Sequence, residues 1–183
     1  VTELPTAEKL SELYRLGRER TLDDASFRSE VQRQLLHIQQ CLRDITKVPL
    51  DDRTIHAWIN VCKTSRLSFE SLLERLGVSV QERGESRYLP HVDAVIKRLR
   101  AKNLLRTDAG ALVADARKAS IVVRKRNGTV LYSTTDLAAA QLRAQEHDRA
   151  LYVVDASQQL HFQQVFDLAA RAGLYDPSRT ELL

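Results

Sequence analysis

Tyr132 and Asp136 stand four residues apart in "LYSTTDLAAA", where a β-rich run gives way to an alanine-rich helical one. They offer a phenolic hydroxyl and an acceptor-only carboxylate. If "TVLYS" is a strand, Tyr132 leaves its carboxyl end, and Asp136 falls in the first turn of a helix capped by Thr134 or Thr135. The positive end of that helix keeps the carboxylate ionised. The natural complement is a cation. A guanidinium is planar and carries five donors in a fork that a carboxylate engages at two points, so it fits better than a rounded ammonium. Gln159, just past the apolar run "ALYVVD", is placed to bind the polar end of an amino acid. A plainer pair has the same spacing, a helix-dipole aspartate and a core aromatic, and spacing alone leaves both readings open.

The elements around these residues predict an α/β fold. "SIVVRKR" and "TVLYS" are β-rich arms joined by Asn127-Gly128, a two-residue hairpin signal in which both turn positions take positive φ. "TTDLAAAQLRAQEH" is a helix, "ALYVVD" a strand suited to the buried middle of a parallel sheet, and "LHFQQVFDLAARAG" a helix closed by Gly173. That alternation is the pattern of a doubly wound sheet, whose ligands bind beyond the carboxyl ends of strands.

Residues 1–118 read as mainly helical, ahead of the Rossmann-like portion at 119–183. Residues 6–47 form helices broken near "TLDDAS", with Asp24 or Ser26 as a cap and Phe27, Val31, Leu35 and Ile38 along one face. After "KVPLDD", a further helix presents Trp58, Ile59, Cys62, Phe69, Leu72, Leu73 and Leu76 as core and ends at Gly77. In this reading Trp58 packs rather than stacks on a base, and His56 is a surface or boundary residue. "VSVQERGESRY" alternates like a short strand before a polar loop, and "LPHVDAVIKRLRAKNLL" turns Val92, Val95, Ile96 and Leu99 inward. "RTDAGALVADA" reads as a turn with a short strand.

The 28 Lys and Arg against 24 Asp and Glu leave a net charge of +4, which permits a polyanionic partner without demanding one. Arg15, Arg18, Arg20, Arg28 and Arg33 form a basic stripe that suits either a solvated face or RNA. No apolar run approaches the roughly 20 residues of a bilayer crossing, and no signal-peptide pattern opens the chain, so a cytoplasmic protein without membrane contact is expected. Cys41 and Cys62 have neither C-x-x-C spacing nor a nearby set of histidines, which predicts reduced thiols, no zinc site and Cys62 in the core. The absence of any methionine predicts a processed or internal piece of a longer chain.

"LYSTTDLAAA", followed by "LYVVDASQQLHFQQVF" and preceded by "ERGES", resembles the catalytic region of arginyl-tRNA synthetases, class I enzymes that join arginine to its tRNA. "HAWINVCKTSRLSFESLLERLGV" is similar to the family's segment ahead of these motifs, so the resemblance spans nearly the whole chain. It implies that Tyr132 and Asp136 bind the substrate guanidinium and that Gln159 contacts the bound arginine. His161 is implied as a support in the adenylate region, or else as a buried, hydrogen-bonded histidine. The substrates implied for the parent enzyme are L-arginine, ATP with Mg2+ and tRNA(Arg), with no tightly bound cofactor and a monomeric, cytoplasmic state. No residue here is implied as a covalent nucleophile.

Two departures from the family stand out. Arg87 occupies a position after "ERGES" that is usually aromatic, and the chain carries neither an H-I-G-H-like motif nor a K-M-S-K-S-like loop. Adenylate formation by this chain alone is therefore not expected, because those motifs grip ATP and stabilise the charge developing at its α-phosphate. The family's anticodon-binding domain is expected beyond Leu183. Two readings of another kind stay beside the enzyme: a non-catalytic, synthetase-derived module that binds arginine or RNA, and a basic RNA-binding module built on residues 6–47.

Overall fold

A computed structural model describes residues 4–117 and 119–183. The chain divides into two compact units, Val1–Arg83 and Gly84–Leu183.

The first unit holds helices α1 (Ala7–Asp23), α2 (Ala25–Arg43) and α3 (Arg53–Arg75), each packed on the other two. Short polar residues start all three. Thr6 Oγ1 accepts from the Lys9 N–H at 3.2 Å, Asp24 Oδ1 from Phe27 at 2.8 Å and Asp52 Oδ1 from Ile55 at 3.0 Å. Asp24, not Ser26, is thus the cap of α2. α3 ends as its glycine predicts: Gly77 sits at φ 63°, and its N–H bonds Glu74 O while that of Val78 bonds Leu73 O.

The expected helical core is thinner than the periodicity implies. Among the described residues of this unit only Ile55 and Thr64 are buried, while Val31, Leu35, Ile59, Phe69, Leu72 and Leu76 are exposed and Trp58 and Cys62 lie between. Three helices in a unit of about 80 residues enclose little interior, so an apolar stripe is covered along only part of its length. Three of the five arginines of the basic stripe pair with a nearby acid. Arg15 pairs with Glu19, Arg20 with Asp24 and Arg33 with Glu30, while Arg28 donates to the Thr21 and Leu22 carbonyls at 2.7 Å each.

The second unit begins with a 3₁₀ segment, Glu85–His91, at the end of the stretch "VSVQERGESRY" that alternation predicts as a short strand before a polar loop. No strand lies in that stretch, and Pro90 continues the 3₁₀ segment. α4 (Val92–Ala101) follows, with Val92, Val95, Ile96 and Leu99 all buried as their spacing requires. An antiparallel meander of β1 (Arg106–Asp108), β2 (Ala111–Ala116) and β3 (Ala119–Arg124) pairs Val113 with Val122 and Ala114 with Ile121. The compositional change at residues 118 and 119 falls inside this sheet. α5 (Tyr132–Glu146) and α6 (Gln159–Ala172) pack on one another, α5 also on α4 and β3, and α6 also on β2. Leu137, Ala138, Ala139 and Ala140 of α5, buried on different sides of the helix by α6, α4, β3 and the 3₁₀ segment, join Val165, Leu168, Ala169 and Ala172 of α6 in the core.

Between α5 and α6, β4 (Ala150–Tyr152) pairs in parallel with β5 (Thr180–Leu182). The parallel pairing follows the sequence reading, but the central position does not. Among the described residues β4 has this single neighbour, and Leu151 and Val153 are exposed while Tyr152 is buried. No helix is long and apolar enough to cross a membrane among the described residues.

The predicted hairpin is also corrected. Its second arm shrinks to one bridge, Arg124 to Val130, and the turn is a three-residue loop closed by Lys125 N–H to Thr129 O at 2.8 Å. Only Gly128 takes positive φ, at 91°; Asn127 does not. Instead Asn127 Oδ1 accepts from the Thr129 N–H at 3.1 Å and its hydroxyl at 2.6 Å, which fixes the turn without a left-handed asparagine.

Candidate functional site

The site lies where α5 starts, and α5 starts earlier than its sequence suggests. Tyr132 is its first residue and Leu131 its cap, with no side-chain capping bond, so Tyr132 is helical rather than the end of a strand. Thr134 and Thr135 are not caps. Ser133 Oγ donates to Val122 O at 3.2 Å and Thr134 Oγ1 to Val123 O at 2.6 Å, both on β3. Thr135 Oγ1 lies 2.8 Å from Glu85 Oε1 and 2.9 Å from Tyr132 O. All three residues are buried, and a buried hydroxyl must find a partner. The polar run therefore fastens the first turn of α5 to the sheet and to the "ERGES" segment, a role that capping statistics do not reveal.

With both residues helical, Tyr132 and Asp136 are one turn apart on one face. The Tyr132 ring is exposed, whereas the Asp136 side chain keeps only 29% of its surface in solvent. His161, in the first turn of α6, joins them. Its Nε2 lies 2.7 Å from Asp136 Oδ2, and its ring is tilted against Tyr132 at a centroid distance of 4.7 Å. The geometry is that of an imidazole N–H donating to a carboxylate oxygen. The Asp136 side chain, tied to His161 through Oδ2, keeps part of its surface in solvent.

Packing behind the pair keeps it in place. The His161 ring meets Phe162 edge-on at 5.0 Å, and Phe162 belongs to a cluster with Tyr152 and Phe166. Arg143 lies two turns beyond Asp136 along α5, with its guanidinium 4.9 Å from the Tyr152 ring centroid and 5.7 Å from that of Tyr88. Burial pushes the Tyr152 phenol above its ordinary pKa against the pull of Arg143, and the negative Asp136 adds to the rise.

Gln159 opens α6 with its side chain exposed, after a turn in which Asp155 Oδ1 accepts from the Ser157 N–H at 2.9 Å. Two residues before His161, it points to a different side of the helix, about 200° round. Tyr132, Asp136 and His161 thus form one contact group, with Gln159 beside it rather than in it. The arrangement combines an oriented carboxylate oxygen with an exposed aromatic face, a pair suited to a flat cation.

The family model described as "tRNA synthetases class I (R), catalytic domain" matches residues 3–183. An "Arginine--tRNA ligase" of Cyanothece sp. is 35% identical over 98% of this chain and 31% of its own length. A "Probable arginine--tRNA ligase, cytoplasmic" of Drosophila melanogaster is 33% identical over 97% of this chain and 26% of its own. The solved arginyl-tRNA synthetase of Plasmodium falciparum superposes with a TM-score of 0.72 at 23% identity, covering 98% of this chain and 30% of that one. The chain belongs to the catalytic-domain family of class I tRNA synthetases of the arginine type. It spans about a third or less of the length of these relatives.

Proposed function

We propose that this chain is the arginine-binding portion of an arginine–tRNA ligase. The observation that carries this reading is the placing of Tyr132 and Asp136 on one helical face, with His161 in contact with both, and a side chain of Asp136 that is part exposed. The residues of 119–183 supply the amino-acid site. Asp136 accepts the guanidinium N–H groups, Tyr132 lies along the cation's face or donates from its hydroxyl, and Gln159 meets the amino-acid end.

In the proposed parent enzyme, an arginine carboxylate oxygen attacks the α-phosphate of Mg·ATP, forming arginyl-adenylate as pyrophosphate leaves. The terminal ribose hydroxyl of tRNA(Arg) then takes the arginyl group, and AMP leaves. The residues described here touch neither reacting centre; they bind and orient, so that arginine's carboxylate is presented at a fixed distance from its anchored guanidinium. Groups elsewhere in the parent handle ATP. A monomeric enzyme fits this reading, and a cytoplasmic one is in line with the name of the Drosophila relative.

Citrulline tests the reading. It has nearly the shape of arginine but no charge, and a carboxylate facing a neutral urea group keeps its desolvation cost without its partner. In arginylation by the full-length ligase, citrulline at a hundred times the arginine concentration is expected to leave the rate essentially unchanged. Competition by citrulline with a Ki near the arginine KM would overturn the assignment of Asp136.

A further inference from the structure

The first unit contains a group of side chains that the synthetase reading does not use. His37 and Cys41 lie one turn apart on α2 and share a face, and Asp52, the cap of α3, meets them across the intervening connection. His37 Nε2 is 2.7 Å from Asp52 Oδ2, Cys41 Sγ is 3.7 Å from His37 Nε2 and 3.9 Å from Nδ1, and the donor atoms of all three fall within 4.8 Å of one another. We propose that His37, Cys41 and Asp52 bind a zinc ion that braces α2 against the start of α3.

Donor type and geometry select the ion. Thiolate, imidazole and carboxylate together suit zinc better than magnesium or calcium, which take oxygen ligands. With bonds of about 2.0 Å to nitrogen and oxygen and about 2.3 Å to sulfur, tetrahedral ligand atoms stand roughly 3.3–3.6 Å apart. The His37–Asp52 and Cys41–His37 separations of 2.7 and 3.7 Å bracket that range and the third pair lies within 4.8 Å, so coordination needs the His37–Asp52 contact to open by less than about 1 Å and the thiol to close on the carboxylate. Sγ is nearly equidistant from the two ring nitrogens, so the proposed coordination requires the Cys41 side chain to turn towards the ion. The thiol gives up its proton to solvent as the Zn–S bond forms.

Asp52 is pre-set for this task, since its Oδ1 is already fixed by the Ile55 N–H at 3.0 Å while Oδ2 faces the histidine. All three residues are half-buried, which leaves the ion a route in and a water as fourth ligand. The benefit lies in the thin interior of the unit, where among the described residues only Ile55 and Thr64 are buried. Small units with little core gain most from a metal staple. The sequence reading found no zinc site because it looked for several histidines near a cysteine, whereas the third donor is an aspartate brought in by the fold.

Cobalt(II) titration of the 183-residue chain tests the proposal, with circular dichroism to check folding of each variant. The expected result is a one-to-one complex with a thiolate-to-cobalt charge-transfer band, displaced by one equivalent of zinc. Cys41→Ser abolishes the band and Cys62→Ser keeps it. Zinc affinity in His37→Ala falls by more than the roughly 10–100-fold that losing a supporting partner costs. Equimolar zinc raises the thermal midpoint of the unaltered chain and not that of Cys41→Ser. The proposal is overturned if no saturable complex forms, if the band survives Cys41→Ser, or if it depends on Cys62. In those cases the His37–Asp52 hydrogen bond is only a structural tie.

Discussion

Replacing His161 with alanine isolates what the histidine does for Asp136. The substitution removes the donor 2.7 Å from Asp136 Oδ2 and the ring that backs Tyr132 at 4.7 Å, while Asp136 and Tyr132 themselves remain. A hydrogen bond to a charged group contributes about 1.5–3 kcal/mol. The Asp136 side chain keeps 29% of its surface in solvent, so water replaces part of that bond. A net loss of about 1–1.5 kcal/mol in arginine binding corresponds to a rise of roughly 5- to 13-fold in the arginine KM. Because His161 acts through Asp136 and touches no reacting group, kcat is expected to stay within about twofold and the ATP KM to stay unchanged. His161→Gln keeps an N–H donor near the same place and should recover most of the loss. Pyrophosphate exchange by the full-length ligase at saturating ATP measures these quantities, with a thermal melt to confirm folding. An unchanged arginine KM in the alanine variant, or a fall confined to kcat, refutes the positioning role.

Other expectations follow from the same contacts. Thr134→Val keeps the shape of a fully buried side chain but leaves Val123 O without its 2.6 Å donor, so the urea midpoint should drop by the equivalent of about 1–3 kcal/mol at unchanged slope. No drop would mean that the hydroxyl does not hold α5 to the sheet. The Asp24 carboxyl is held below its ordinary pKa, first by the Phe27 N–H and then by Arg20. A depressed carboxylate stabilises the fold above its unfolded pKa, and that contribution disappears as the pH falls through the folded value. Asn also caps helices but lacks the charge, so the thermal-midpoint gap between the unaltered chain and Asp24→Asn should be flat above about pH 5 and close below about pH 4. A gap of constant size down to about pH 3 contradicts this account.

What could be read from the sequence depended on how local the cause was. The inward face of α4 and the glycine stop of α3 rest on neighbours within a turn, and both stand as expected. The start of α5 could not be read this way. Ser133, Thr134 and Thr135 look like capping residues, yet they spend their hydroxyls on carbonyls of β3 and on Glu85, 50 residues away for Thr135. Moving the helix start to Tyr132 puts it and Asp136 on one face, so the spacing that suggested a site is the helical repeat itself. The contact of His161 with Asp136 spans 25 residues and depends on how α5 packs on α6. The apolar stripes of α1 to α3 were legible as helices but not as a core, because periodicity states which face is apolar and not how much of it is covered.

The most direct measurement is the arginine KM of Asp136→Asn in the full-length ligase, taken together with its ATP KM. The substitution keeps the shape of the side chain and an oxygen that can accept from His161 while removing the charge proposed to meet the guanidinium. Loss of about 2–3 kcal/mol of charge-assisted hydrogen bonding predicts an arginine KM raised by roughly 30- to 160-fold with the ATP KM unaltered. An arginine KM equal to that of the unaltered enzyme would contradict the guanidinium site on α5.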